Sequence, residues 1–186
     1  MATVISGSLS VAGIRSIQKQ LKQYKKRLIE KCRVFVEQLA LRGIAVGEAN
    51  LGQFDKFITF SVEMEQHGDG VKAIMYATNS GIIHSQWLNL DENGNTIVRE
   101  EDVSPILMAE FGSGLRANNV TARKFGMGTG TFPHQTHAED PEGWWYMTLD
   151  GEWHHSYGVT PTMPMAKAQI EMLDQIDTVA KEVFGS

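Results

Sequence analysis

Four histidines and three acids crowd into the second half of the chain: His134, His137, His154 and His155, with Glu139, Asp140 and Glu152. Imidazoles and carboxylates are zinc ligands, and three or four of them suffice for a site. Their spacing matches no ligand template. His134 and His137 fall in a segment with no helix to align them, and His154 and His155 are adjacent, so on a strand they face opposite sides. A metal-dependent enzyme built on His134, His137 and His154 therefore ranks last among the readings of this chain. Cys32 sits on the apolar stripe of a helix, where a thiol is expected as core packing, since a nucleophile needs an electropositive, open setting. Ser113 stands between glycines, but Gly112-Ser113-Gly114 lacks the spacing of a nucleophile elbow. Gly126-Met-Gly-Thr-Gly130 has no strand before it, no helix after it and no phosphate-binding lysine. The expectation is a protein without catalytic, metal or cofactor residues, and not an enzyme.

Recognition chemistry has more behind it. Nine basic residues and two acids lie between Ile14 and Arg42, a local charge of +7 that leaves −12 on the remainder of a chain of net charge −5. Lys19, Lys22, Lys26 and Arg33 recur at steps of three, four and seven, the spacing of a positive ridge on one side of a helix. Such a ridge binds phosphates, which makes a DNA-binding module on helix 14–42 the main competing function. It also complements an acidic neighbour, including the acidic remainder of another copy. Trp144, Trp145, Tyr146 and Trp153 form the densest aromatic group. Strand alternation puts Trp144 and Tyr146 on one face and Trp145 on the other, so one face is left for a partner, and buried Trp and Tyr are typical interface anchors.

The elements that must position these groups follow from periodicity. Ile14, Ile17, Leu21, Tyr24, Leu28, Cys32, Phe35 and Leu39 make one stripe of a long amphipathic helix, with Ser10 as its N-cap and Gly43 as its stop. Phe57–Val62 and Val71–Ala77 read as strands joined by a turn at Gln66–Gly70, and Ile82–Leu88 with Thr96–Arg99 as a second pair around Asp91–Gly94. Pro105–Phe111 fits a short helix or a strand. Residues 112–133 read as a long Gly-rich loop, and loops of that length are usually functional or interface-forming. Asp150-Gly151 between Trp144–Leu149 and Glu152–Ser156 is a strong hairpin signal. Pro164 opens a closing helix. The expected fold is α+β: a long N-terminal helix, a mainly antiparallel sheet with hairpins, and a C-terminal helix packed on the sheet. Residues 1–12 are expected as a flexible arm and 13–186 as a single domain.

Composition supports an ordered domain, with 42% hydrophobic and 21% charged residues in 186. One cysteine excludes an internal disulfide framework. The first ten residues lack the basic and apolar regions of a signal peptide, and no stretch approaches a membrane span. Synthesis and folding in a cytoplasm are expected.

Two short segments carry a family resemblance. Ile106-Leu-Met-Ala-Glu-Phe-Gly-Ser-Gly114 resembles the Tyr-Ala-x-x-Val-Glu-Phe-Gly-Thr-Gly stretch of the tail-component family of lambdoid and related long-tailed bacteriophages. Pro161-Thr-Met-Pro-Met165, with Ala168 following, resembles that family's Pro-x-x-Pro-Phe/Met entry into a terminal helix. The order of a basic helix, a β-rich middle and these two motifs covers nearly the full length. Ile106 stands where the family has tyrosine, Met108 where it has valine, and Met165 where phenylalanine is commoner. The resemblance implies a virion structural protein of the neck or upper tail, assembled in the bacterial cytoplasm and needed for tail completion and head–tail joining. It implies a homo-oligomeric, hexameric ring, with head-closure, tail-terminator and tail-tube proteins as neighbours, phage DNA near by and no membrane. Glu110, Phe111, Gly112, Gly114, Pro161, Pro164, Met165 and Ala168 would be its structural residues. Physically, the two glycines allow a sharp turn after Phe111, Phe111 anchors that turn in the core, Glu110 pairs with a basic group, and the prolines fix the entry of the last helix.

Overall fold

The computed structural model describes residues 5–90, 92–114, 141–147 and 151–185. Helix α1 runs from Val11 to Ala49. The Ser10 hydroxyl caps it by accepting from the Gly13 N–H at 3.1 Å. The helix does not stop at Gly43. It continues for six more residues to an Asn50 cap, because Gly43 and Gly47 serve packing there. A Cβ on Gly43 would stand 2.8 Å from Met172 Cγ, and one on Gly47 would stand 2.7 Å from Phe60 Cζ. The absent side chains let a helix and a sheet approach the α1 backbone closely.

A 3₁₀ turn at Gly52–Phe54 leads into β1 (Ile58–His67) and β2 (Gly70–Asn79), an antiparallel hairpin in which β1 begins one residue later than expected and runs on to His67, and β2 is longer at both ends. Its two-residue turn uses Gly68 at φ +58. Next come β3 (Ile83–Leu90) and β4 (Thr96–Val103), then α2 (Pro105–Phe111), which resolves the open helix-or-strand question. Ser104 caps α2 through the Leu107 N–H, and Pro105 occupies its first position, where no donor is needed. Strand β5 is only Ser113–Gly114, and the rest of the expected Gly-rich loop lies outside the described residues. Strands β6 (Trp144–Met147) and β7 (Trp153–Ser156) pair antiparallel, as the Asp-Gly signal implied. They extend the second hairpin into a four-stranded sheet of order β4-β3-β6-β7. Strand β8 (Gly158–Val159) pairs with β5.

The closing helix is two helices, α3 (Pro164–Asp174) and α4 (Ile176–Phe184), broken at Gln175. Arg42 on α1 holds the break, donating to Gln175 Oε1 at 2.6 Å and Glu182 Oε2 at 2.7 Å. The C-terminal helices pack against α1 and the sheet, as the α+β reading expected. Leu51, Phe54, Ile58, Phe60, Ile83, Met108 and Ala109 form the main core, and Met165 packs against it from α3. Among the described residues, no helix is long and apolar enough to cross a membrane.

Candidate functional site

The two motif segments meet. Glu110, at the end of α2, is 5% exposed, and its carboxylate accepts from the Met165 N–H at 2.9 Å and the Ala166 N–H at 3.0 Å. These are two of the donors that a helix N-terminus leaves without an internal partner. The residue before α3, Met163, is left-handed at φ 53 and offers no side-chain cap. Glu110, more than fifty positions earlier, supplies the cap and places a negative charge at the positive end of the helix. The carbonyl of Ala109 accepts from the Thr162 and Met163 N–H groups at 2.9 and 3.0 Å. Lys167 then ties α3 to the end of α1 by donating to Asn50 Oδ1 at 2.7 Å, while Asn50 Nδ2 donates to the Val46 carbonyl.

Glu110 was expected to pair with a basic group, yet its partners are backbone amides. Burial pushes its carboxyl above the usual carboxylate range, against the opposing pull of the Met165 and Ala166 N–H groups and of Lys167. Phe111 is only half-buried, and Met108 and Ala109 fill the core in its place. Gly112 makes the sharp turn at φ 74, whereas Gly114 sits in β5 opposite Gly158. Pro161 and Pro164 are buried, and Ala168 is fully buried with its carbonyl 3.3 Å from where a Gly43 Cβ would stand. This clasp joins the ends of three helices. The chemistry it performs is hydrogen-bonded closure of the subunit frame.

The candidate recognition surface lies elsewhere, on the N-terminal half of α1. Ile14, Leu21, Tyr24 and Leu28 are 41–49% exposed. The stripe that periodicity predicted is real, but the subunit covers only its lower part. There Phe35 meets Phe184 at 5.8 Å between ring centroids. Cys32 marks the transition, half-buried where core burial was expected. Lys25 meets Asp69 at the tip of the β1–β2 hairpin, at 2.5 Å. Of the expected arm 1–12, residues 1–4 lie outside the described residues, and Val11 and Ala12 already belong to α1. Between them, the Ser6 carbonyl accepts from Gln20 Nε2, and Gly7 lies against Ile17.

Lys19, Lys22, Lys26 and Arg33 are all exposed. At 100° per residue they fall within a sector of about 60°, on the side of the helix facing away from the stripe. The apolar and the basic faces can therefore be occupied at the same time.

Trp145 and Trp153 are exposed at 48% and 40% on the β6–β7 hairpin. The Trp145 ring lies 4.9 Å from the His155 ring, which lies 4.7 Å from Tyr157. The side chains of Trp144 and Tyr146 fall outside the described residues, so their expected face is not placed. His155 belongs to this aromatic row and His154 to the other face of the strand, half-buried. His134 and His137 lie outside the described residues. Among the described residues, no three His, Cys, Asp or Glu side chains gather as metal ligands do.

Sequence reasoning missed Asn50 and Lys167. Asn50 directly follows the last helical residue, a position where Asn is a recognised stop signal. Nothing local marks Lys167 as its partner. Comparison with family models, curated proteins and solved structures gives no match.

Proposed function

We propose that this chain is a virion structural subunit of a tailed phage, a neck or tail-completion component that forms a ring at the head–tail interface. The observation that carries the reading is the N-terminal half of α1, an apolar stripe of four large exposed side chains on a helix that outruns its own domain. Isolated apolar surface residues are ordinary, but a contiguous stripe at helical spacing marks an interaction surface. The Glu-Phe-Gly and Pro-x-x-Pro-Met segments support the same reading, because they close on each other as a frame. Residues used in that way fit the structural role the family resemblance implies. Repeated contacts around a closed ring would supply avidity from individually modest interfaces.

Head-closure, tail-terminator and tail-tube proteins are the proposed neighbours, and the virion the proposed location. Electron microscopy of the purified chain, alone and mixed with a tail extract from a phage lacking it, tests the proposal. Rings that attach to tail ends are expected. A particle that stays monomeric and never joins a tail refutes it. The exposed ridge of Lys19, Lys22, Lys26 and Arg33 favours one second reading, a DNA-binding module. That reading requires affinity for duplex DNA that falls steeply with salt.

A further inference from the structure

We infer that the exposed α1 stripe of one subunit docks into an apolar groove on a second copy of the chain. The groove opens between α1, β2 and the C-terminal helices, has a volume of about 390 Å³, and is lined by Val36, Leu39, Met75, Met172, Leu173 and Ile176. Leu173 and Ile176 at its rim are 59% and 40% exposed. This inference rests on the reading of the chain as a self-assembling subunit and names the surfaces that meet.

Three observations select the occupant. A subunit cannot fill its own groove with its own stripe, because both lie on the same continuous helix. Leu28 and Leu39 are eleven residues apart, about 16 Å along the axis at 1.5 Å per residue. Two stripes cannot readily pair with each other either. Residues 11–33 carry eight basic side chains and one acid. Side-by-side helices would bring two such +7 segments to an axial distance of about 8–10 Å, about one Debye length at physiological salt. The rim of the groove has the opposite character. The groove's charged lining residue, Lys72, is paired with Glu65 at 3.4 Å. The α3 and α4 helices beside it carry Glu171, Asp174, Asp177 and Glu182 against Lys167 and Lys181, with Glu182 paired to Arg42, so the rim offers exposed carboxylates to the basic residues that flank the stripe.

The resulting contact is head-to-tail. Each subunit gives a stripe to one neighbour and a groove to the other, the arrangement that closes into a ring when the rotation fits. The contact leaves the basic ridge on the far side of α1 open.

The test uses the full chain carrying Leu21→Glu or Leu173→Glu. Both positions are exposed, so circular dichroism should match the wild type. Each variant should raise the concentration for half-association in sedimentation at least tenfold. Mixing the two should restore dimers, because L21E keeps an intact groove and L173E an intact stripe, but should not restore larger rings. In a Cys32→Ser background and with dissolved oxygen as the oxidant, Leu21→Cys chains mixed with size-tagged Leu173→Cys chains should form mixed disulfide dimers at least ten times faster than either alone. Faster self-crosslinking of L21C, or no rescue on mixing, overturns the inference. If the wild type forms rings that join tails while neither glutamate variant changes assembly, the docking inference fails and the virion reading stands. If the wild type remains monomeric and joins nothing, both fail.

Discussion

Replacing Glu110 with alanine removes the acceptor for the Met165 and Ala166 N–H groups in a site that is 5% exposed. Little water is at hand to replace it. A buried donor without a partner costs about 1–3 kcal/mol, and loss of a helix cap typically about 1 kcal/mol. The carboxylate itself is partly destabilised by burial, which offsets some of that loss. The expected net cost is about 2–4 kcal/mol. For a chain of this size that lowers Tm by about 5–15 °C. Glu110→Gln keeps one acceptor oxygen but aims an amide donor at the second N–H, so it should fall between wild type and alanine.

The pH dependence has a definite sign. Burial raises the folded carboxyl above its ordinary value of 4.5. Between 4.5 and that raised value the folded state holds more proton than the unfolded state, so this group's contribution declines as pH rises through the window. The advantage of wild type over Glu110→Gln should therefore be larger near pH 4.5 than at pH 7. Urea unfolding followed by circular dichroism at several pH values measures it. Alanine within about 0.5 kcal/mol of wild type would refute the clasp, whereas an advantage that grows with pH would mean that the two amide hydrogen bonds outweigh burial at this carboxyl.

The two helical glycines should respond differently to alanine. Gly43→Ala presses on Met172 Cγ at 2.8 Å and on the fixed Ala168 carbonyl at 3.3 Å, so the gain of about 1 kcal/mol in helix propensity should be offset and the net cost should stay within about 1 kcal/mol. Gly47→Ala presses on the ring of buried Phe60 and should cost about 1–2 kcal/mol net in thermal unfolding. Charge reversal at Lys22 and Lys26 should leave Tm within about 2 °C, as both side chains are exposed. If the basic ridge meets DNA, the same double variant should weaken binding and flatten its salt slope by about two to four charges' worth in a filter or anisotropy assay. Trp145→Ala should change stability by less than about 1 kcal/mol, because its ring is half in solvent. A larger loss of tail attachment in a complementation assay would mark the hairpin as a contact.

Local signals served where the physics is local. Ser10 announced α1, because a cap is decided by a few adjacent residues, and β6 and β7 pair as the Asp150-Gly151 signal led one to expect, with Asp150 itself outside the described residues. Gly43 misled for a tertiary reason. A glycine ends a helix when the chain needs a left-handed residue, but here it admits Met172, a partner far away in sequence. Glu110 was expected to pair with a basic group, and its hydrogen bonds go to backbone amides instead. The N–H groups that donate to it lie just after Met163, whose left-handed backbone leaves α3 without a local cap, and no residue in that neighbourhood signals this. The break at Gln175 was equally hidden, since Ile170, Met172, Leu173 and Ile176 continue an apolar pattern across it.

The α1 stripe shows why periodicity alone cannot separate a core face from a docking face. Both require the same spacing of apolar residues. Length decides. A compact chain of 186 residues is about 40 Å across. A helix of 39 residues is about 58 Å long, so roughly a third of it must leave the domain whatever packs below. The covering elements are short as well, for α3 and α4 together run only from Pro164 to Phe184 and meet α1 from Phe35 downward, and the β1–β2 hairpin reaches α1 as far as Lys25 through Asp69 at its tip. A stripe that continues unchanged past the end of its cover, with leucine and tyrosine in solvent on one side and lysines on the other, has the properties of a surface shaped for another molecule. Breaking it at Leu21 tests that directly, because the change should lower association and leave the fold intact.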